Sequence, residues 1–233
     1  MILALLACSG SDDTADLPDT TPTDTAPVDT TDSAAPETRD PLSLARLPEL
    51  EDLDPADGAV RVALTAAPHT HTFTDLDDTT HTVEGFAYTD AGTPLIRLKL
   101  GDTLTVDFSN ALDEPTTIHW HGIDVPYDMD GVTWTTDPIQ PGGSFTYSFT
   151  VSQSGTFWFH PHFNTDEQVS GGLYGVIIVE DPADPVVDED LVLLIDDWDL
   201  DEVVSDMDDM EHDHVAAEGT WTVNGQIQPT LTL

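Results

Sequence analysis

Two His-x-His pairs are the residues of this chain best placed to do chemistry: His119-Trp120-His121 and His160-Pro161-His162. In an extended strand side chains alternate between faces, so His119 and His121 share one face, as do His160 and His162. Residues two apart on a strand lie roughly 7 Å apart, a spacing that suits neighbouring metal ions. Imidazole is a ligand for copper, zinc, iron and nickel. Two such pairs on adjacent strands would present four neutral nitrogen donors to one polynuclear site.

Strands must position these pairs. Thr116 to Ile123 and Gly155 to His160 read as strands carrying the first and leading to the second. Apolar/polar alternation or β-branched runs recur at Val60–Leu64, His71–Phe73, Thr80–Tyr88, Pro94–Leu100, Thr103–Phe108, Ser144–Val151, Leu173–Glu180 and Leu191–Trp198. Turns rich in Gly, Pro and Asp separate them, and no long segment has a helical period. This pattern predicts an all-β sandwich.

The run from about Glu84 to Asp181 resembles the first cupredoxin domain of the multicopper oxidases, the laccase, ascorbate oxidase and bacterial cuprous oxidase group. The resemblance rests on an ordered set: Thr93-Pro94-Leu95-Ile96-Arg97, Gly101-Asp102-Thr103-Leu104, His119-Trp120-His121-Gly122, Asp130-Gly131, Pro138-Ile139-Gln140-Pro141-Gly142, His160-Pro161-His162 and Gly172-Leu173-Tyr174-Gly175. It implies a cupredoxin-like Greek-key β-sandwich and half of the histidines of a trinuclear copper cluster. By motif position, His119 would bind the type 2 copper, and His121, His160 and His162 the type 3 pair. Such a cluster reduces O2 to water with electrons taken singly from a phenolic or metal-ion reductant. Asp130 matches a family carboxylate thought to assist proton delivery. An Asp preceding a Gly is also a common turn residue, and both readings stand at this point.

The resemblance also implies a type 1 copper with a Cys thiolate and further cluster histidines. The only Cys is Cys8, and neither a His-x-x-His-x-His nor a His-Cys-His run occurs. The expectation is therefore the N-terminal portion of a longer oxidase, inactive alone, whose remaining cupredoxin domains would complete it. Alternatives are a periplasmic copper-binding cupredoxin module, a copper nitrite reductase-like enzyme or an inactive truncated remnant. Thr220 to Gln226 contains a Val-Asn-Gly turn resembling the start of the family's second domain. The expected organisation is a signal segment over 1–8, a linker over 9–45, a cupredoxin-like domain over 55–182 and an incomplete second domain over 186–233.

Composition sets outer bounds. The 233 residues include 46 Asp and Glu against five Lys and Arg, a formal net charge of -41. Nucleic acid is excluded as a partner, because phosphate binding needs a basic face. Cations are attracted to such a surface, and most of the acidity reads as a solvated surface suited to salt. Ser9 to Asp40 is Asp, Thr, Pro and Ala with almost nothing to bury, a disordered tether. Leu5-Leu6-Ala7-Cys8 resembles a bacterial lipobox, which implies an exported periplasmic or outer-membrane lipoprotein acylated on Cys8. Membrane contact would then run only through the lipid, since the apolar run is too short to span a bilayer. His69, His71 and His81 match no ligand position and read as residues of a surface strand. Met207, Met210, His212 and His214 read as incidental to an acidic loop over Ser205–His214.

Overall fold

The computed structural model describes residues 2–3, 44–75, 79–200 and 219–229. Cys8, the tether and Ser205–His214 lie outside the described residues. In chain order the strands are β1 (Ile2–Leu3), β2 (Ala59–Thr74), β3 (Thr80–Ala87), β4 (Leu95–Lys99), β5 (Thr103–Asn110), β6 (His119–His121), β7 (Ser144–Thr150), β8 (Gly155–His160), β9 (Gly175–Glu180), β10 (Leu194–Trp198), β11 (Thr220–Val223) and β12 (Gln226–Ile227). Among the described residues one short α-helix, α1 (Thr165–Ser170), lies between β8 and β9, and a 3-10 turn, Tyr127–Met129, lies between β6 and β7.

Two four-stranded sheets form the sandwich, ordered β3-β2-β5-β7 and β4-β9-β8-β6. Both mix parallel and antiparallel pairing: β2 runs parallel to β5, and β4 parallel to β9. Alternation along the strands fills the space between them. Leu104, Val106 and Phe108 of β5 point inward with Val62 and Leu64 of β2, against Trp120, Phe159 and Ile177 of the other sheet. Each fully buried side chain of this size contributes about 1.5–3 kcal/mol of hydrophobic stabilisation.

The outer face of the β4-β9-β8-β6 sheet is covered too. Leu95, Tyr174, Val176 and Ile178 pack there against Leu194 of β10. β10 belongs to a third sheet, ordered β1-β10-β11-β12. Asn224 joins this sheet to the segment before the sandwich, donating from Nδ2 to the carbonyls of Ala45 (2.7 Å) and Val192 (2.9 Å).

The sandwich agrees with the sequence expectation, and several local features differ from it. The strand expected over Thr116–Ile123 shrinks to His119–His121. The alternations at Val60–Leu64 and His71–Phe73 are one 16-residue strand, β2. α1 was not expected; six residues are too few for a helical period to register. His71 is not a surface residue. Its ring lies 4.5 Å from that of Trp198 on β10, and Nε2 sits 3.1 Å from the carbonyls of both Phe86 and Gly171. The packing of the third sheet leaves it half-buried.

Candidate metal centre

β6 and β8 pair antiparallel with His119 opposite His160, Trp120 opposite Phe159 and His121 opposite Trp158. Trp120 and Phe159 are fully buried between the sheets, so strand alternation sends His119, His121, Trp158 and His160 to the opposite face. The four histidine rings then converge. His119 lies 5.6 Å from His121, 5.5 Å from His160 and 4.7 Å from His162, centroid to centroid. His160 is 5.5 Å from His121 and 5.3 Å from His162. His119, His121 and His160 each bring a ring nitrogen into a group spanning no more than 4.8 Å.

Hydrogen bonds select which nitrogens remain as donors to a metal. His119 Nδ1 lies 2.8 Å from the carbonyl of Asp130, and His160 Nδ1 lies 3.0 Å from that of Pro161. A carbonyl only accepts, so each Nδ1 carries its proton and each Nε2 keeps its lone pair. His121 Nδ1 faces His160 Nε2 at 3.2 Å. Two nitrogens each about 2.0 Å from one ion lie between about 2.8 Å and 4 Å apart, so these two fit a shared metal.

The electrostatics agree with a metal-binding role. Burial holds the His160 imidazole down at about 4, assisted by its histidine neighbours and opposed by the Pro161 carbonyl. Burial also lowers His121 and His162, with His119 adding to both. Neutral imidazole is the ligating form, and burial favours it at His121, His160 and His162. The donor set therefore fits copper, which imidazole supports in both oxidation states.

Gly131 sets the loop that orients His119. Its φ is +77°, and a Cβ there would lie 1.7 Å from the carbonyl oxygen of Ile118. Only glycine lets the loop cross so close to β6, and the crossing delivers the Asp130 carbonyl to His119. The Asp130 carboxylate also approaches His119, with Oδ1 3.5 Å from Nδ1. The buried Thr136 hydroxyl accepts the Gly131 N–H at 3.0 Å and holds the turn.

Aromatic rings wall the site. Trp158 stacks on His160 at 4.0 Å and on His121 at 5.1 Å, while Trp120 and Phe159 serve the core. Trp134, three-quarters exposed, lies 6.4 Å from His162. Sequence reading did not single out Trp134, Thr136 or Thr117. An exposed Trp after Asp-Gly was the available signal for the first; a buried threonine in a Thr-rich chain gives none. His69, His71 and His81 lie apart from the cluster, and His81 Nε2 is 3.0 Å from Asp75.

Comparison with known proteins decides the family. Residues 70–184 match the multicopper oxidase family model. This stretch is a multicopper oxidase family domain. The chain is 45% identical over 106 residues to the multicopper oxidase MmcO of Mycobacterium tuberculosis, covering 45% of this chain and 21% of that protein. It is 44% identical over 115 residues to copper resistance protein A of Pseudomonas syringae pv. tomato, covering 48% and 19%. A crystal structure of a multi-copper oxidase from Pseudomonas thermotolerans superposes with a TM-score of 0.58 at 35% identity, over 72% of this chain and 42% of that one. The chain thus spans about a fifth of the length of these curated relatives. Among the described residues no helix is long and apolar enough to cross a membrane.

Proposed function

We propose that this chain supplies half of the histidines of a trinuclear copper cluster in a multicopper oxidase. His119 would hold the type 2 copper, and His121, His160 and His162 the type 3 pair. Copper bound there supplies the electron-accepting centre at which O2 is reduced to water. The observation that carries this reading is the convergence of four imidazoles, three on β6 and β8 and the fourth just past the end of β8, with His121 Nδ1 and His160 Nε2 facing each other at 3.2 Å.

The chain's own residues have separable tasks in this reading. The Asp130 and Pro161 carbonyls fix the tautomers of His119 and His160. Trp158 stacks over His160 and excludes water from that side. The Asp130 carboxylate, 3.5 Å from His119 Nδ1, is the group placed to hold and pass a proton. A type 1 copper, held by a Cys and His set that further cupredoxin domains would carry, would supply electrons taken from a phenolic or metal-ion reductant. The present residues alone bind copper without turnover. The reading also includes export and lipid attachment at Cys8, and a sandwich domain over 55–182.

Copper titration of the metal-free chain tests the site. The expected result is copper bound without the intense blue absorption of a thiolate site, weakened at least tenfold by His119→Ala or His160→Ala. Binding that survives both substitutions unchanged would place the copper elsewhere and overturn the assignment.

A further inference from the structure

The ladder between β6 and β8 ends at His119 opposite His160. Continuing its register would set Thr117 opposite His162. The ladder stops at Pro161, whose nitrogen carries no hydrogen to donate. His162 is therefore the ligand that strand pairing does not place, although its ring is the nearest to that of His119, at 4.7 Å.

A side chain takes over where the backbone pairing ends. Thr117 is fully buried, and its hydroxyl oxygen accepts the His162 N–H at 2.9 Å. The neighbouring Thr116, also fully buried, donates from Oγ1 to Gln168 Oε1 at 2.7 Å. Gln168 lies on α1 with no exposed surface, and its Nε2 donates to Glu114 Oε1 at 2.8 Å and to the Pro115 carbonyl at 3.0 Å. From the same helix, Thr165 Oγ1 donates to the Pro161 carbonyl at 3.3 Å, the oxygen that also receives His160 Nδ1. Segments 114–117 and 161–168 are thus stapled through side chains. Buried polar groups are costly unless paired, so a set this fully paired fixes one geometry.

We propose that Thr117, whose neighbour Thr116 is anchored by Gln168, is a positioning residue that holds His162 against His119 and so builds the metal position that depends on His162. This rests on the copper reading above. His121 and His160 are placed by the ladder itself, so the position they share does not depend on Thr117. The chemistry the clamp serves is the second, separately held ion of the cluster.

Thr117→Val keeps the shape of the side chain and removes the acceptor; Thr117→Ser keeps the acceptor. In the full-length metal-free chain, hydrogen exchange at the His162 amide should quicken at least tenfold in Thr117→Val and stay slow in Thr117→Ser, with Phe159 unchanged in both. Titration with copper(II) should then show the His162-dependent equivalent, defined as the one lost in His162→Ala, weakened at least tenfold in Thr117→Val. The equivalent lost in His121→Ala should be retained. A His162 amide equally protected in Thr117→Val overturns the proposal, as does equal weakening of both equivalents, or a Thr117→Ser variant as impaired as Thr117→Val. Should Thr117→Val not fold, Gln168→Met carries the same test, with the same selective loss expected and a uniform loss overturning it. If the wild-type chain binds no copper at these histidines, the proposed function fails, while the amide exchange of the metal-free chain still decides whether Thr117 holds His162.

Discussion

Replacing Gly131 with alanine separates two costs that usually come together. At φ +77° any side chain is strained, which costs about 1–2 kcal/mol. A Cβ at 131 would also sit 1.7 Å from the Ile118 carbonyl oxygen and 2.9 Å from the His119 nitrogen. The overlap is with backbone on both counts, so the loop must move by more than an ångström. That displacement adds roughly 1–3 kcal/mol as overpacking. It also withdraws the Asp130 carbonyl from His119, the loss of a hydrogen bond worth about 1 kcal/mol. The sum is about 3–6 kcal/mol. Gly142 is a matched control, with φ +73° and nothing within 4 Å of an added Cβ. Gly142→Ala should cost only the strain. For a domain of this size roughly 3 °C of midpoint corresponds to 1 kcal/mol. Calorimetry of the metal-free chains should therefore give a drop of about 9–18 °C for Gly131→Ala and about 3–6 °C for Gly142→Ala. Gly131→Ala should also weaken copper binding, and Gly142→Ala should not. Equal drops for the two variants would refute the close crossing of the Asp130 loop over β6.

Three further outcomes are expected. In the unfolded chain a histidine protonates near about 6.5, whereas folded His160 does so only at about 4. Between these values the unfolded state binds more protons, so the metal-free chain should lose stability as pH falls through that window; a midpoint flat from pH 7 to pH 4.5 would contradict the burial of His160. Asp196, buried beside the Tyr174 hydroxyl that donates to it, has its carboxyl raised by burial. Its charged form thus costs stability once pH exceeds that raised value, so Asp196→Asn should match or exceed the wild-type midpoint at pH 8 and lose any advantage in acid; a lower midpoint at pH 8 would count against this. Added sodium chloride should raise the midpoint, because no Lys or Arg follows Lys99 and Arg97 alone already serves Glu49, Glu180 and Asp190. Screening that shortens from roughly 30 Å at 0.01 M to about 3 Å at 1 M relieves the remaining repulsion, and a midpoint that stays flat would show the acidity to be spread too thinly to matter.

The sequence by itself determined the strand class, the same-face arrangement of His119 and His121 and the family resemblance. These follow from a period of two and from short ordered motifs, both local properties of the chain. The acidity is likewise composition. Which histidine faces which was decided by tertiary structure, because register between β6 and β8 joins residues about 40 positions apart. It pairs His119 with His160 and brings His121 Nδ1 to His160 Nε2, a contact that no spacing along either strand specifies. The position of His162 depends on a ladder that ends at a proline and on a threonine hydroxyl 45 residues away. His71 reads as a surface residue on β2 until Trp198 of another sheet packs over it. Gly131 shows the same division. Its place after Asp130 marks a turn in the sequence, but the Ile118 carbonyl that makes glycine obligatory arrives only when the loop folds back across β6.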